Sequence, residues 1–103
     1  MKYIYYINNI KYETDYKNQI PFYKISSPDE NTPAYEVLET GQKLWCEKDG
    51  IWHRLTGPAH IFPNGDKWFY LNGRHYGDDV TFWLKHHPNQ TNAFQVEMLL
   101  KYT

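Results

Sequence analysis

Cysteine is all but missing from this chain: Cys46 stands alone among 103 residues. An intramolecular disulfide is thereby excluded, as is a zinc site built on several thiolates, and a reducing compartment is the simpler home. Long apolar runs are missing too. Residues 1–10 are mixed and tyrosine-rich, without a small-residue cleavage site, so neither a signal peptide nor a transmembrane segment is expected. The expected location is the cytoplasm. Neither sign of charge is in excess, with 11 Lys and Arg against 12 Asp and Glu. Such a balance steers the chain toward neither nucleic acid nor an acidic membrane, and neither is expected as a partner. The glycines are separated, which excludes a phosphate loop, and no carboxylates pair at a recognisable spacing.

What is abundant is aromatic: 18 % of the residues, including Tyr 10 times and Trp 4 times. Large rings bury much area per residue and favour strands, so a chain with room for one small domain can build its core from few side chains. A surplus of rings also leaves some at the surface, where they anchor partners.

Turn chemistry punctuates the chain. Asn8-Asn9, Asp49-Gly50, Asn64-Gly65 and Asn72-Gly73 suit the positive φ angles of tight hairpins, and Gly57-Pro58 marks a further corner. Residues 3–7, 42–47 and 66–71 between them have strand length and composition. Residues 20–25 predict another strand, pushed toward a sheet edge by Pro21. The polar run 26–32 predicts a mobile tip.

Shifted by roughly 24 residues, the chain matches itself. Pro33-Ala34, Gly41-x-Lys43-x-Trp45 and Asp49-Gly50-x-x-His53 return as Pro58-Ala59, Gly65-x-Lys67-Trp68 and Asn72-Gly73-x-His75. This alignment sets Trp45 against Trp68 and His53 against His75, with single-residue deletions in the second copy. Such a repeat is one supersecondary unit stacked on itself, because a single unit cannot bury its apolar face. Residues 5–12 match residues 69–76 position by position, giving a degenerate hairpin over 1–26 ahead of the repeats at 33–77.

After Gly77 the period changes. Asp78 or Asp79 caps a short helix over 79–87, stopped before Pro88. Thr91 or Asn92 caps a second over 92–102, where Phe94, Met98 and Tyr102 recur at helical spacing and Val96, Leu99 and Leu100 widen the stripe. The expected fold is a single α+β domain: a small antiparallel β-meander of hairpin repeats with short C-terminal helices packed on it.

The string Asp49-Gly50-Ile51-Trp52-His53-Arg54-Leu55-Thr56-Gly57-Pro58-Ala59, followed by Asn64-Gly65-Asp66-Lys67-Trp68-Phe69-Tyr70-Leu71-Asn72-Gly73, resembles the HR-x-x-GPA repeat proteins. These are variants of MORN repeats, common as small proteins of bacteriophages and giant viruses. The resemblance is strong over 41–77 and weak toward both ends. It implies MORN-like β-hairpins, a scaffold that contacts proteins or lipids rather than an enzyme, and the host-cell cytoplasm; two copies with balanced charge offer neither the length nor the basic face that lipid needs. The second copy departs from the pattern: His75-Tyr76-Gly77-Asp78 lacks the arginine and the following Gly-Pro-Ala, so the array ends there.

No catalytic set emerges from the residues. His53, His60, His75, His86 and His87 match no zinc spacing. His53 and His75 read as structural, a ring nitrogen bonding a turn carbonyl, and His86-His87 as protonated rings at a helix C-terminus. The even placement of His53, Asn64 and His75 raises a small metal-dependent nuclease, although Asn64 and His75 belong to turns. Cys46 reads as a small buried residue. No metal and no cofactor are expected.

The ring-bearing strands say more. Alternation puts Trp68 and Tyr70 on one face of 66–71, with Phe69 and Leu71 on the other. The Trp-bearing face reads either as a second core layer under the helices or as a binding patch formed by Trp45, Trp52, His53, Arg54, Trp68 and Tyr70. The expected function is a non-enzymatic interaction module that binds a host protein, inhibiting or redirecting it or an antiviral-defence protein. The nuclease is one alternative, and a nucleotide-binding protein whose rings stack on a base is the other. A meander also leaves a sheet edge through which a homodimer could form.

Overall fold

In the computed structural model, which describes residues 1–103, left-handed backbone angles fall where the hairpins reverse. Asn8 (φ 51) precedes Asn9 (φ 66), Asp49 (φ 64) precedes Gly50 (φ 71), and Asn72 (φ 51) precedes Gly73 (φ 82). Short polar side chains and glycine tolerate this region, so the chain turns back at these pairs. The strands are β1 (Tyr3–Ile7), β2 (Ile10–Thr14), β3 (Tyr35–Val37), β4 (Lys43–Leu44), β5 (Cys46–Glu47), β6 (Ile51–Trp52), β7 (His60–Ile61), β8 (Lys67–Trp68), β9 (Tyr70–Leu71) and β10 (Arg74–His75). They form a 6-stranded antiparallel sheet in the order β2-β1-β3-β4-β7-β8 and two separate ribbons, β5-β6 and β9-β10. Helices α1 (Val80–Lys85) and α2 (Asn92–Tyr102) follow. Asp79 Oδ1 accepts from the Thr81 amide and Thr91 Oγ1 from the Phe94 amide, capping each. The fold is therefore α+β, an antiparallel sheet of hairpins with short C-terminal helices, and no helix is long and apolar enough to cross a membrane.

The strands expected over 42–47 and 66–71 are each broken, at Trp45 and at Phe69. The Trp45 amide donates to the Ala59 carbonyl while the Trp45 carbonyl accepts from His53. Phe69 repeats this arrangement with Gly77 and Tyr76. At both places the chain leaves the sheet and continues as a ribbon. The backbone thus equates Trp45 with Phe69, His53 with Tyr76 and Leu44 with Trp68. The last equivalence is fixed by bonds from Ala34 to Leu44 (2.8 Å) and from Ala59 to Trp68 (3.0 Å). The alignment of Trp45 with Trp68 and of His53 with His75 is corrected accordingly. Matching like rings misplaced the register by one residue, and a one-residue slip sends a strand's side chains to the opposite face.

Residues 20–25 form no strand. The short 3₁₀ helix Lys17–Gln19 leads to Pro21, whose carbonyl accepts from Lys24 (2.8 Å) to close a turn. Proline cannot donate to a ladder, and its fixed φ suits the turn. Ile20 and Ile25 are buried with Ala34, Tyr35, Val37, Leu44 and Cys46, so the segment crosses a sheet face instead of extending its edge. Nor is the run 26–32 a free tip. Ser27 Oγ accepts from the Cys46 amide (3.0 Å), and Glu30 is fastened to the end of the first repeat at Leu55 and Thr56.

Three apolar clusters succeed one another along an elongated molecule of 42 × 27 × 19 Å. The last joins Phe69, Leu71 and Tyr76 to Val80, Trp83, Leu84 and Met98, with Phe94, Leu99 and Tyr102 packed against it. The helices consequently cover the Phe69/Leu71 side, not the side bearing Trp68 and Tyr70. The α2 stripe is narrower than expected: Val96 is exposed, and Leu100 is 80 % exposed. At roughly 100° per residue both project well away from the face that carries Phe94.

Candidate functional site

The segment 53–59, which carries the His-Arg and Gly-Pro-Ala pattern, is a structural knot. Arg54 is only 8 % exposed, and its guanidinium lies 3.7 Å over the Trp45 ring. Nε donates to the Glu30 carbonyl (3.1 Å) and Nη1 to the Pro58 carbonyl (3.2 Å). An indole face and oriented carbonyls thus take the part that a counter-ion plays for most buried cations. Burial pulls the Arg54 pKa below its usual value, opposed by Tyr102 and Glu30. Glu30 Oε1 accepts from the Leu55 amide, the Thr56 amide and Thr56 Oγ1, each at 2.9 Å. Tyr102, in the last turn of α2, donates its hydroxyl to the Thr56 carbonyl (3.3 Å). A Cβ on Gly57 would overlap Tyr102 Oη and stand 3.0 Å from Arg54 Nη1, which is why glycine sits there. The motif ties the Glu30 loop, the repeats and the final helix together.

A row of side chains crosses the whole sheet on one face. Tyr12, Tyr5, Tyr35, Leu44, His60 and Trp68 are successive cross-strand partners on β2, β1, β3, β4, β7 and β8. At its β8 end the row joins a closed circuit of rings. Centroid separations run His60–Phe62 4.0 Å, Phe62–Trp68 4.5 Å, Trp68–His75 4.7 Å, His75–Tyr70 4.7 Å, Tyr70–Trp52 5.0 Å and Trp52–His60 4.9 Å. Rings at such spacings support one another beyond their burial. Trp68, 36 % exposed on the edge strand, is the outermost indole. It lines two shallow grooves together with Asp66, one of about 360 Å³ alongside Phe62 and Pro63, the other of about 270 Å³ reaching Lys67 and Asp78.

The candidate residues therefore separate. Trp52, Trp68 and Tyr70 come together in the circuit, with Tyr70 buried and Trp52 half-buried. Trp45 and Arg54 stack on each other in the interior. His53 Nδ1 accepts from the Asn72 amide (2.9 Å), a turn amide rather than the expected carbonyl. His60, Phe62 and His75 were missed by sequence reasoning. Counting outward from Asn64-Gly65 as a two-residue turn pairs His60 with Phe69; the loop is three residues, 63–65, and this shift sets His60 opposite Trp68. Asn64 is occupied within its turn, Oδ1 accepting from the Asp66 amide and Nδ2 donating to Asp66 Oδ2. No group of three or more His, Cys, Asp or Glu side chains converges as a metal site.

Two histidines are held neutral in the interior. His87 Nε2 donates to the Leu55 carbonyl and Nδ1 accepts from the Asn89 amide, each at 2.8 Å, which fixes the proton on Nε2. The expectation of a protonated His87 at the helix end is thereby overturned. Burial lowers the pKa of His87, and of His60, from the ordinary 6.5. Burial also pushes the Cys46 thiol from 9.0 up to about 12.

These shifts set a pH window for stability. Between a histidine's folded and unfolded pKa the unfolded chain binds more protons, so stability rises with pH and is lost as pH falls below about 6.5. Above 9.0 the unfolded thiol deprotonates first, so stability falls as pH rises toward about 12. The melting temperature is expected to be level between these limits and to decline on both sides. A plateau that runs unbroken to about pH 5 would count against neutral, buried imidazoles.

Compared with protein-family models, with curated proteins and with solved structures, the chain matches none of them.

Proposed function

We propose that this chain is a non-enzymatic interaction module that binds a host protein in the cytoplasm through the Trp68 face, inhibiting or redirecting it. The observation that carries this reading is the ring circuit, which ends in a half-open indole on an edge strand left uncovered by the helices. Exposed aromatics braced from behind lose little side-chain freedom on binding, which makes them effective anchors. Asp66 and Asp78 flank Trp68. The complementary surface is thus a basic side chain beside an apolar one, the cation reaching both the carboxylates and the indole face. The resemblance to viral HR-x-x-GPA repeats supplies the expectation of a host target.

Trp68→Ala tests the reading, with its thermal unfolding measured alongside because the ring also packs on Phe62 and His75. Affinity purification from host cells should recover a stoichiometric partner with the native chain, and binding should weaken by roughly 30-fold or more in the variant, as for an anchor residue. Raised salt should slow association. Recovery of the same partner with equal affinity by Trp68→Ala would exclude this face.

A further inference from the structure

The 6-stranded sheet ends on β2, and that edge is bare. Residues 8–13 are exposed in an unbroken run, Ile10 by 57 % and Tyr12 by 40 %. No proline interrupts the run, and outside the ladder with β1 no backbone bond reaches residues 10–14. At 5 residues β2 is also longer than β8, the strand of 2 residues at the opposite edge. A long, open edge is a template for another strand.

One bond fixes the phase of the backbone. The Tyr6 amide donates to the Ala34 carbonyl (2.9 Å), so Tyr6 faces β3 and Tyr5 faces β2. Tyr12, opposite Tyr5, accordingly directs its amide and carbonyl to β1. Lys11 and Glu13 direct theirs outward, where nothing in the chain meets them. The side chains alternate as well. Ile10 and Tyr12 share the face that carries Ile7, Tyr5 and the buried cluster beneath them, whereas Lys11 and Glu13 share the other. Within the chain Lys11 Nζ stands 3.6 Å from Glu13 Oε1, and Lys2 Nζ 3.5 Å from Oε2. These are loose pairs between half-exposed groups, free to exchange partners.

We infer that β2 pairs antiparallel with β2 of a second copy about a two-fold axis at Tyr12, joining two sheets into one. In that register Lys11 lies opposite the partner's Glu13, and Glu13 opposite the partner's Lys11. These are the residues whose backbone groups are free to bond across the seam, and each such pair exchanges both of its N–H···O bonds. The two Tyr12 residues meet at the axis as a non-hydrogen-bonded pair, with Cα atoms about 4.5 Å apart. Ile10 lies opposite the partner's Thr14, so the apolar face left open at the edge of one copy continues onto the other. The registers on either side set Lys11 against Lys11 or Glu13 against Glu13, and like charges directly opposite are destabilising. Charge therefore selects one register. A single strand pair buries little beside a standard interface, so the dimer is a dissociable one. This edge lies at the other end of the sheet from β8, so the inference stands whether or not the Trp68 face binds a protein.

Sedimentation equilibrium of the full chain is the test, with a dimer of Kd below about 1 mM expected. Lys11→Glu sets like charges opposite each other on both sides of the axis, as does Glu13→Lys, and each should weaken association about tenfold or more. An equimolar mixture of these variants brings unlike charges back together. It should form mixed dimers of near-native strength, a result that damage to the fold could not produce. Tyr12→Cys should give a disulfide-linked dimer on mild oxidation, because the Cα separation at the axis is one that a disulfide spans. Ile10→Cys should not, since its two copies lie roughly 13 Å apart along the strands. Native Cys46 is buried and does not compete. A native chain that stays monomeric at about 1 mM would overturn the pairing. So would dimers of unchanged strength in both charge variants, or a mixture that forms no mixed dimer.

Discussion

Replacing Arg54 with alanine is expected to destabilise the protein by about 3–5 kcal/mol, the range for emptying a large buried site. The guanidinium covers the Trp45 ring at 3.7 Å and bonds the carbonyls of Glu30 and Pro58. Alanine leaves both carbonyls without that donor, at about 1–3 kcal/mol for each that stays buried and unbonded, and uncovers an indole that is 4 % exposed in the native chain. A domain of this size holds about 5–15 kcal/mol in all, so the loss takes a large share of it. Arg54→Lys should recover little. An ammonium has neither the flat face to stack on an indole nor the fork to reach carbonyls in different directions. Urea denaturation measures both variants. A midpoint for Arg54→Ala equivalent to a loss under about 1 kcal/mol would show that Arg54 is no structural pin, and would return it to the candidate binding residues.

Gly50→Ala should cost about 3–4 kcal/mol, and its size can be divided between two causes. Gly50 has φ +71, and a Cβ there would overlap the Phe22 carbonyl oxygen while standing 3.2 Å from its carbon and 3.3 Å from Tyr23 Cα. Gly41 and Gly65 share the positive φ, at +77 and +91, with open space around the Cβ position. Alanine at either should cost only the backbone term, about 1–2 kcal/mol. The excess at Gly50 then measures how firmly residues 20–25 are held against the turn of the β5-β6 ribbon, where the Gly50 amide also donates to the Ile25 carbonyl (2.9 Å). Equal losses in all three variants would mean that the crossing segment gives way freely.

Much of the fold was legible because it rests on chemistry confined to a few residues. Paired Asn, Asp and Gly marked four of the reversals, since left-handed backbone is a steric property of single residues, whereas the turn between β3 and β4 carries only Gly41 and was not marked. Asp78 or Asp79 and Thr91 or Asn92 marked the helix starts through equally local cap chemistry, and Asp79 and Thr91 are the residues that cap. Cys46, expected to be a small buried residue, is 2 % exposed. The candidate site was only partly legible. Trp52, Trp68 and Tyr70 were named, yet His60, Phe62 and His75, which close the circuit, were not. The sequence reading takes histidine as a ligand, a turn partner or a helix cap and not as a stacking ring, and none of these accounts for a histidine stacked among indoles.

The Asn, Asp and Gly turn pairs and the strand-then-helix order are thus written in the chain itself, because φ preference and cap geometry act within a few residues. Which rings became interior was decided only in three dimensions. The break at Trp45 and Phe69 set the register, and register placed Leu44 opposite Tyr35 and His60 and put Trp68 at an open edge. The path of residues 20–25 across a sheet face followed from where Ile20 and Ile25 found apolar cover. A pattern of period two fixes which residues share a face, but not what will lie upon it; that depends on segments distant in sequence that must bury their own apolar surface.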